Sequence, residues 1–186
     1  MSVFSHRSPH HPTFPLCFST GVRQHRADRI IPVFLPFLGC PGHCVYCAQD
    51  RQTGTDASGG IRTVLEHTRR IAALLPACPP GKDRELAFYG GTFTALPSVD
   101  RTACLDVLHA LREEGKITRA RCSTRPDALS DTVLNELAEY GIDLVELGIQ
   151  SFDDNALRLS RRGYTGSGAE QGCRTVLQAG LKLGIQ

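Results

Sequence analysis

Short apolar runs alternate with longer stretches of helical period along most of the chain. From Ile30 to Leu38 the residues are almost all apolar, which predicts a strand. Pro32 and Pro36 have no N–H to give to a ladder, so this strand is expected at a sheet edge or in irregular form. Ile61, Val64, Leu65, Ile71, Leu74 and Leu75 recur on one helical face, and Pro79-Pro80-Gly81 ends it. Leu86 to Tyr89 forms a second buried strand that runs into Gly90-Gly91. Cys104, Leu105, Leu108 and Leu111 mark the inward face of the next helix, with Ser98 or Asp100 as its cap and Gly115 as its stop. A third strand is predicted near residues 120–124. The helix after it is capped by Ser130, buries Val133, Leu134 and Leu137, and stops at Gly141. Leu144 to Ile149 is a fourth strand, a helix spans about 168–179 before Gly180, and Leu181 to Gln186 is a fifth strand.

Strands that alternate with helices imply an α/β fold, with a parallel sheet and right-handed crossovers. In such folds chemistry gathers at the carboxyl ends of the strands. Residues 1–28 break the rhythm. They are rich in Ser, His, Pro, Thr and Arg, hold no acid before Asp28, and show no period, so they are expected to be a disordered or loosely packed leader. Residues 29–186 are expected to be one domain.

Composition narrows the field. Lys and Arg number 21 against 19 for Asp and Glu, a net charge of +2. There is no overall basic field, so any contact with nucleic acid must be local. Eight cysteines is a high count for 186 residues. No secretory core precedes them and no apolar run approaches membrane length. The expectation is a cytoplasmic protein without a membrane anchor, whose thiols are reduced and whose clustered cysteines serve a metal or a redox group.

The cluster is Gly39-Cys40-Pro41-Gly42-His43-Cys44-Val45-Tyr46-Cys47, a C-x3-C-x2-C spacing in a Gly/Pro loop after the first strand. Three thiolates can hold three irons of a [4Fe–4S] cube and leave the fourth iron open to another ligand. The competing reading is structural zinc, which wants four closed ligands, and only His43 is at hand as a fourth. The other cysteines stand singly and read as core residues or bystanders. At the end of the second strand, Gly90 and Gly91 allow a ligand to approach the backbone closely, and Thr92 adds a hydroxyl. At the end of the third, Ser123-Thr124-Arg125-Pro126-Asp127 offers Arg125 to a carboxylate or other anion, or else to a salt bridge with Asp127. Alternation puts Glu146, Gly148 and Gln150 on one side of the fourth strand, where polar groups are costly unless they bind something.

The cysteine spacing, the aromatic Tyr46 before its last member, and its place after the first strand of a β/α series resemble the radical S-adenosylmethionine (radical SAM) superfamily. The resemblance covers about residue 30 to the end. It implies that Cys40, Cys44 and Cys47 hold a [4Fe–4S] cluster whose unique iron is chelated by S-adenosylmethionine. An electron from the reduced cluster would then cleave the sulfonium to methionine and a 5′-deoxyadenosyl radical. It implies cofactor contacts from Tyr46, Gly90, Gly91, Thr92, Arg125, Gln150 and Arg162, and a one-electron donor such as flavodoxin or ferredoxin as partner. The fold it implies is a partial (β/α)6 barrel, of which about four and a half units are present, the chain ending in the fifth strand as a fragment. GGTFTALP, STRPDAL and VELGIQSFDDNALRLSRRGYT further resemble the radical SAM domain of the Elongator catalytic subunit and its bacterial stand-alone relatives, which implies modification of a tRNA base. Elongator subunits space the first cysteine farther from the second and carry an acetyltransferase domain after the barrel. Two alternatives stay open: a coproporphyrinogen-oxidase-like or haem-handling radical SAM protein, which Gln150 and Arg162 also fit, and a non-catalytic zinc or iron–sulfur module.

Overall fold

The computed structural model describes residues 30–42, 44–49 and 60–186, so the expected leader, Cys17 and His43 lie outside the described residues. Five strands form one parallel sheet: β1 (Ile30–Phe34), β2 (Glu85–Tyr89), β3 (Arg119–Thr124), β4 (Leu144–Leu147) and β5 (Lys182–Ile185). Their spatial order is their chain order, with every neighbour parallel. A doubly wound sheet reverses its order at a switch point. This one never does, which is the winding of a β/α barrel. The partial barrel expected from the sequence is therefore the observed architecture, and β1, with Pro32, is an edge strand as its prolines require.

The connecting helices are α1 (Gly60–Ala73), α2 (Ser98–Glu113), α3 (Asp131–Glu139), α4 (Asp154–Leu159) and α5 (Gly166–Gln178), and a 3₁₀ turn lies at Phe93–Ala95. One face of the sheet packs beneath them. Ile31, Val33, Leu86, Phe88, Ala120, Cys122, Val145 and Leu147 share a core with Leu105, Leu108, Leu111, Leu134, Leu137 and Val176 from the helices. The alternate strand positions carry polar groups instead: Glu85, Tyr89, Arg121, Ser123 and Glu146. Arg121 joins them, 3.3 Å from Glu85 and 2.8 Å from Glu146 in ion pairs, and donates to the Tyr89 hydroxyl at 2.6 Å. Glu146 also accepts from Ser123, its register partner, and from Gln186. Of the polar side expected on β4 only Glu146 lies in the strand, and it is satisfied by its own protein; Gly148 and Gln150 lie beyond Leu147.

Three local details differ from the pattern reading. Neither Ser98 nor Asp100 caps α2: Pro97 precedes the helix and no side chain bonds its first turn, so Ser98 is a helical residue and Asp100 contributes only its charge near the N-terminus. Strand β4 ends at Leu147, before the expected Ile149, because the backbone turns there and Gln150 takes a φ of +70°. Helix α4 was not expected; it is one short segment with a single buried residue, Leu157, too short to show a period.

Ser130 does cap α3, its hydroxyl accepting from the Val133 N–H at 3.3 Å. Ser130→Ala should cost about 1 kcal/mol of stability in a denaturant titration, and Ser130→Asp should recover most of it. No helix among the described residues is long and apolar enough to cross a membrane.

Candidate active site

At the carboxyl ends of the strands, the loops after β1 to β4 enclose a cleft of about 220 Å³. Cys40, Cys44, Cys47, Tyr46, Gly90, Gly91, Thr92, Arg125, Gln150 and Arg162 all line it, so every site residue expected from the sequence meets in one place. They come from four separate loops, which only the barrel winding brings together.

The cysteine loop is built by local backbone turns. Phe37 and Gly39 take φ values of +58° and +75°, and the Cys40 N–H donates to the Phe37 carbonyl at 3.0 Å. Gly39 needs its conformation and also its missing side chain, since a Cβ there would stand 2.3 Å from the Thr92 carbonyl oxygen. The Cys47 N–H donates to the Cys44 carbonyl at 3.0 Å, and the Gln49 side chain accepts from the Phe37 N–H at 3.0 Å, tying the two ends of the loop. Cys40 Sγ lies 3.3 Å from the hydroxyl of Thr92, which is fully buried.

The three cysteines share the cleft without meeting at a point. Among the described residues no three Cys, His, Asp or Glu side chains converge on a single-ion site. A cube asks for something different, because each thiolate goes to its own iron. The other described cysteines do not enter the cleft. Burial pushes the Cys104 thiol up to about 12 and also raises Cys122, as expected of inert thiols in the core.

Gly91 lies against the cysteine loop more than against open space. A Cβ would stand 2.2 Å from the Leu38 carbonyl oxygen and 2.7 Å from that of Leu35. The close approach expected at this glycine is therefore an approach of the protein's own backbone, and the Thr92 N–H seals it by donating to Leu38 at 2.8 Å. Gly90 has a φ of +92°, with the Phe34 ring where a side chain would be.

Two arginines stand at the far wall. Arg125 is buried and donates twice to Asp127, at 2.9 and 2.7 Å, so the salt bridge weighed for it in the sequence is formed. Its Nη2 also donates to the Arg162 carbonyl at 2.5 Å. Arg162 is 7% exposed. Its Nη1 donates to Cys44 Sγ at 3.1 Å and to the Tyr46 hydroxyl at 3.0 Å, its Nε to the Tyr164 hydroxyl at 2.8 Å, and its Nη2 to the Gly148 carbonyl. Burial raises the Tyr46 phenol above its ordinary value despite the Arg162 charge, so Tyr46 is neutral at physiological pH.

Sequence reasoning did not single out Tyr89, Gln49 or Gln186 as cleft residues, nor Tyr164 behind it. Tyr89 and Gln49 adjoin the glycine and cysteine motifs, and that adjacency was the one available signal. Nothing local marked Tyr164.

The radical SAM superfamily matches residues 34–185. The chain belongs to that superfamily of enzymes. Among relatives, a tRNA uridine(34) acetyltransferase from Methanocaldococcus infernus is 30% identical over 91% of this chain and 38% of its own length. A tRNA-2-methylthio-N(6)-dimethylallyladenosine synthase from Herpetosiphon aurantiacus is 29% identical over 68% of this chain and 28% of its own. Among solved structures, an N-terminally deleted archaeal Elp3 from Methanocaldococcus infernus superposes with a TM-score of 0.52 and 22% identity, over 84% of this chain and 37% of that one. The match supports the barrel. The chain is Elongator-like in sequence and spans well under half the length of these relatives.

Proposed function

We propose that the cleft binds one [4Fe–4S] cluster through Cys40, Cys44 and Cys47, together with S-adenosylmethionine, and that the bound pair modifies a base of tRNA by radical chemistry. The observation that carries this reading is the meeting of three cysteines with Gly90, Thr92, Gln150 and Arg162 in one cleft at the strand ends. Held by Cys40, Cys44 and Cys47, the cluster would supply one-electron reductive cleavage of the S-adenosylmethionine sulfonium.

The chain's own residues have separable tasks. The cysteine loop supplies the thiolates. Gly90 and Gly91 present their backbone at the cleft wall, and their missing side chains let that turn pack against Phe34 and the backbone of Leu35 and Leu38. Gln150, held at a φ of +70°, lines the same cleft and offers both a donor and an acceptor to the cofactor. Arg162 supplies a fixed positive charge near both the thiols and any carboxylate that enters. The electron that would reduce the cluster comes from a donor of the flavodoxin or ferredoxin class. The tRNA substrate rests on what the relatives act on.

The test is anaerobic reconstitution with iron and sulfide, followed by reductive cleavage of S-adenosylmethionine with 5′-deoxyadenosine as the product read. Iron–sulfur absorbance and product formation are expected. A chain that takes up zinc but no cluster overturns the assignment in favour of a binding module. The substrate is checked separately, by adding unmodified tRNA and looking for a mass change on a base.

A further inference from the structure

Among the described residues Arg162 is a buried cation without a carboxylate partner. Its side chain makes no ion pair with Asp or Glu among the described residues, although it is 7% exposed. Buried charges are ordinarily paired, since an isolated one costs several kcal/mol in desolvation. The partners of Arg162 are instead the Tyr164 hydroxyl, the Gly148 carbonyl, the Tyr46 hydroxyl and one sulfur, Cys44 Sγ at 3.1 Å.

Its aim is fixed from behind. The Tyr164 hydroxyl accepts from Arg162 Nε at 2.8 Å and shares its one proton between the Gly148 and Ile149 carbonyls, each at 2.9 Å. The Arg162 guanidinium carbon stands 5.1 Å from the Tyr164 ring centroid, a cation–π contact, and that of Arg125 stands at 5.3 Å. The main chain is held too. The Arg162 N–H donates to Leu157 at 2.9 Å, between Arg161 at a φ of +56° and Gly163 at +81°. A left-handed non-glycine residue is uncommon and persists only where its surroundings over-determine it.

We propose that Arg162, positioned by Tyr164, raises the reduction potential of the iron–sulfur centre through Cys44. The proposal rests on the cluster assignment made above. A thiolate at Cys44 provides the counter-charge that the protein otherwise withholds from Arg162. Adding one electron from the external donor makes the centre more negative, and a fixed cation donating to a ligand sulfur favours that state. Hydrogen bonds to cluster sulfurs are an established lever on such potentials. Arg162 acts here through Cys44, so its effect exists before S-adenosylmethionine arrives. The Tyr164 hydroxyl bonds Arg162 and the Gly148 and Ile149 carbonyls and does not line the cleft, so Tyr164 is a positioning residue.

The experiment uses the full chain, reconstituted anaerobically and held at a series of fixed potentials without S-adenosylmethionine, the reduced cluster being read by electron paramagnetic resonance. Arg162→Gln should lower the ratio of reduced to oxidised centre about tenfold at a given potential, a shift of about 59 mV for a one-electron couple. Tyr164→Phe, which keeps the ring and loses the anchor, should shift it the same way by less. Arg162→Lys, which keeps the charge and loses the fork, should fall between Arg162→Gln and the parent. If Arg162→Gln does not fold, the tyrosine and lysine variants decide the question alone. Variants with full iron and sulfide content and the parental potential overturn the proposal and leave the cluster assignment standing. A parent chain that assembles no cluster overturns both. A shift that appears only after S-adenosylmethionine is added also overturns it, because the partner of Arg162 is then the cofactor.

Discussion

Replacing any one of Cys40, Cys44 or Cys47 by Ala should abolish a stable [4Fe–4S] centre, with iron and sulfide content falling to background after reconstitution. The reason is the ligand count. Three thiols line the cleft, and no fourth described cysteine enters it to substitute. Cys78 makes the sharpest control. It is a free thiol, but it sits in the turn before β2, donating to the Lys82 carbonyl at 3.2 Å, at the end of the sheet away from the cleft. Cys173, on α5, is likewise outside it. Cys78→Ala and Cys173→Ala should take up iron like the parent. Cys104 and Cys122 are poorer controls, because both are fully buried in the core and their truncation leaves a cavity. Loss of the cluster in Cys78→Ala with retention in Cys40→Ala would show that the ligand set is wrong.

The parts of this fold that repeat were legible in the sequence. Strands show as apolar runs, and helices as leucines three and four apart closed by glycine. Counting these was enough to expect a parallel α/β sheet with its chemistry at one end, and the resemblance carried by the cysteine motif made that sheet a barrel. Most of the residues that line the cleft could be grouped for a related reason: they belong to strand-end motifs, and in a parallel sheet all such ends share one side, whereas Arg162 follows a helix and was named only through the resemblance. What escaped was what depends on distance. Arg162 and Cys44 are 118 positions apart, and no local pattern states that a guanidinium and a thiol will lie 3.1 Å from one another. The polar face that Arg121 organises was visible only at Glu146, because nothing local says that Glu85, Arg121 and Tyr89 share a side until the strands are paired. Gly91 was recognised as important, but the sequence does not say in which direction its absent side chain would have pointed.

That direction decides the last expected result. Gly91→Val should destabilise the protein and remove the cluster together, rather than weaken S-adenosylmethionine binding alone. The φ of Gly91 is not in the left-handed region, so the dihedral itself is not the obstacle. The obstacle is space. Even a Cβ would lie 2.2 Å from the Leu38 carbonyl oxygen and 2.7 Å from that of Leu35, and both neighbours are backbone, which cannot rotate out of the way. Relief requires the segment from Leu35 to Cys40 to move away from the glycine turn. That movement breaks the 2.8 Å bond from the Thr92 N–H to Leu38 and carries Cys40 Sγ away from Thr92. Overpacking of this kind costs about 3 kcal/mol, which for a domain of this size lowers Tm by about 6–12 °C. Gly42→Ala is the matched comparison for stability. It lies in the cysteine loop that Gly91 packs against, and nothing stands within 4 Å of the position its Cβ would take, so Tm should not fall. Thermal unfolding and iron analysis of the two variants side by side check the account. A Gly91→Val protein with parental Tm and full iron content would mean that the two loops do not meet as the structure has them.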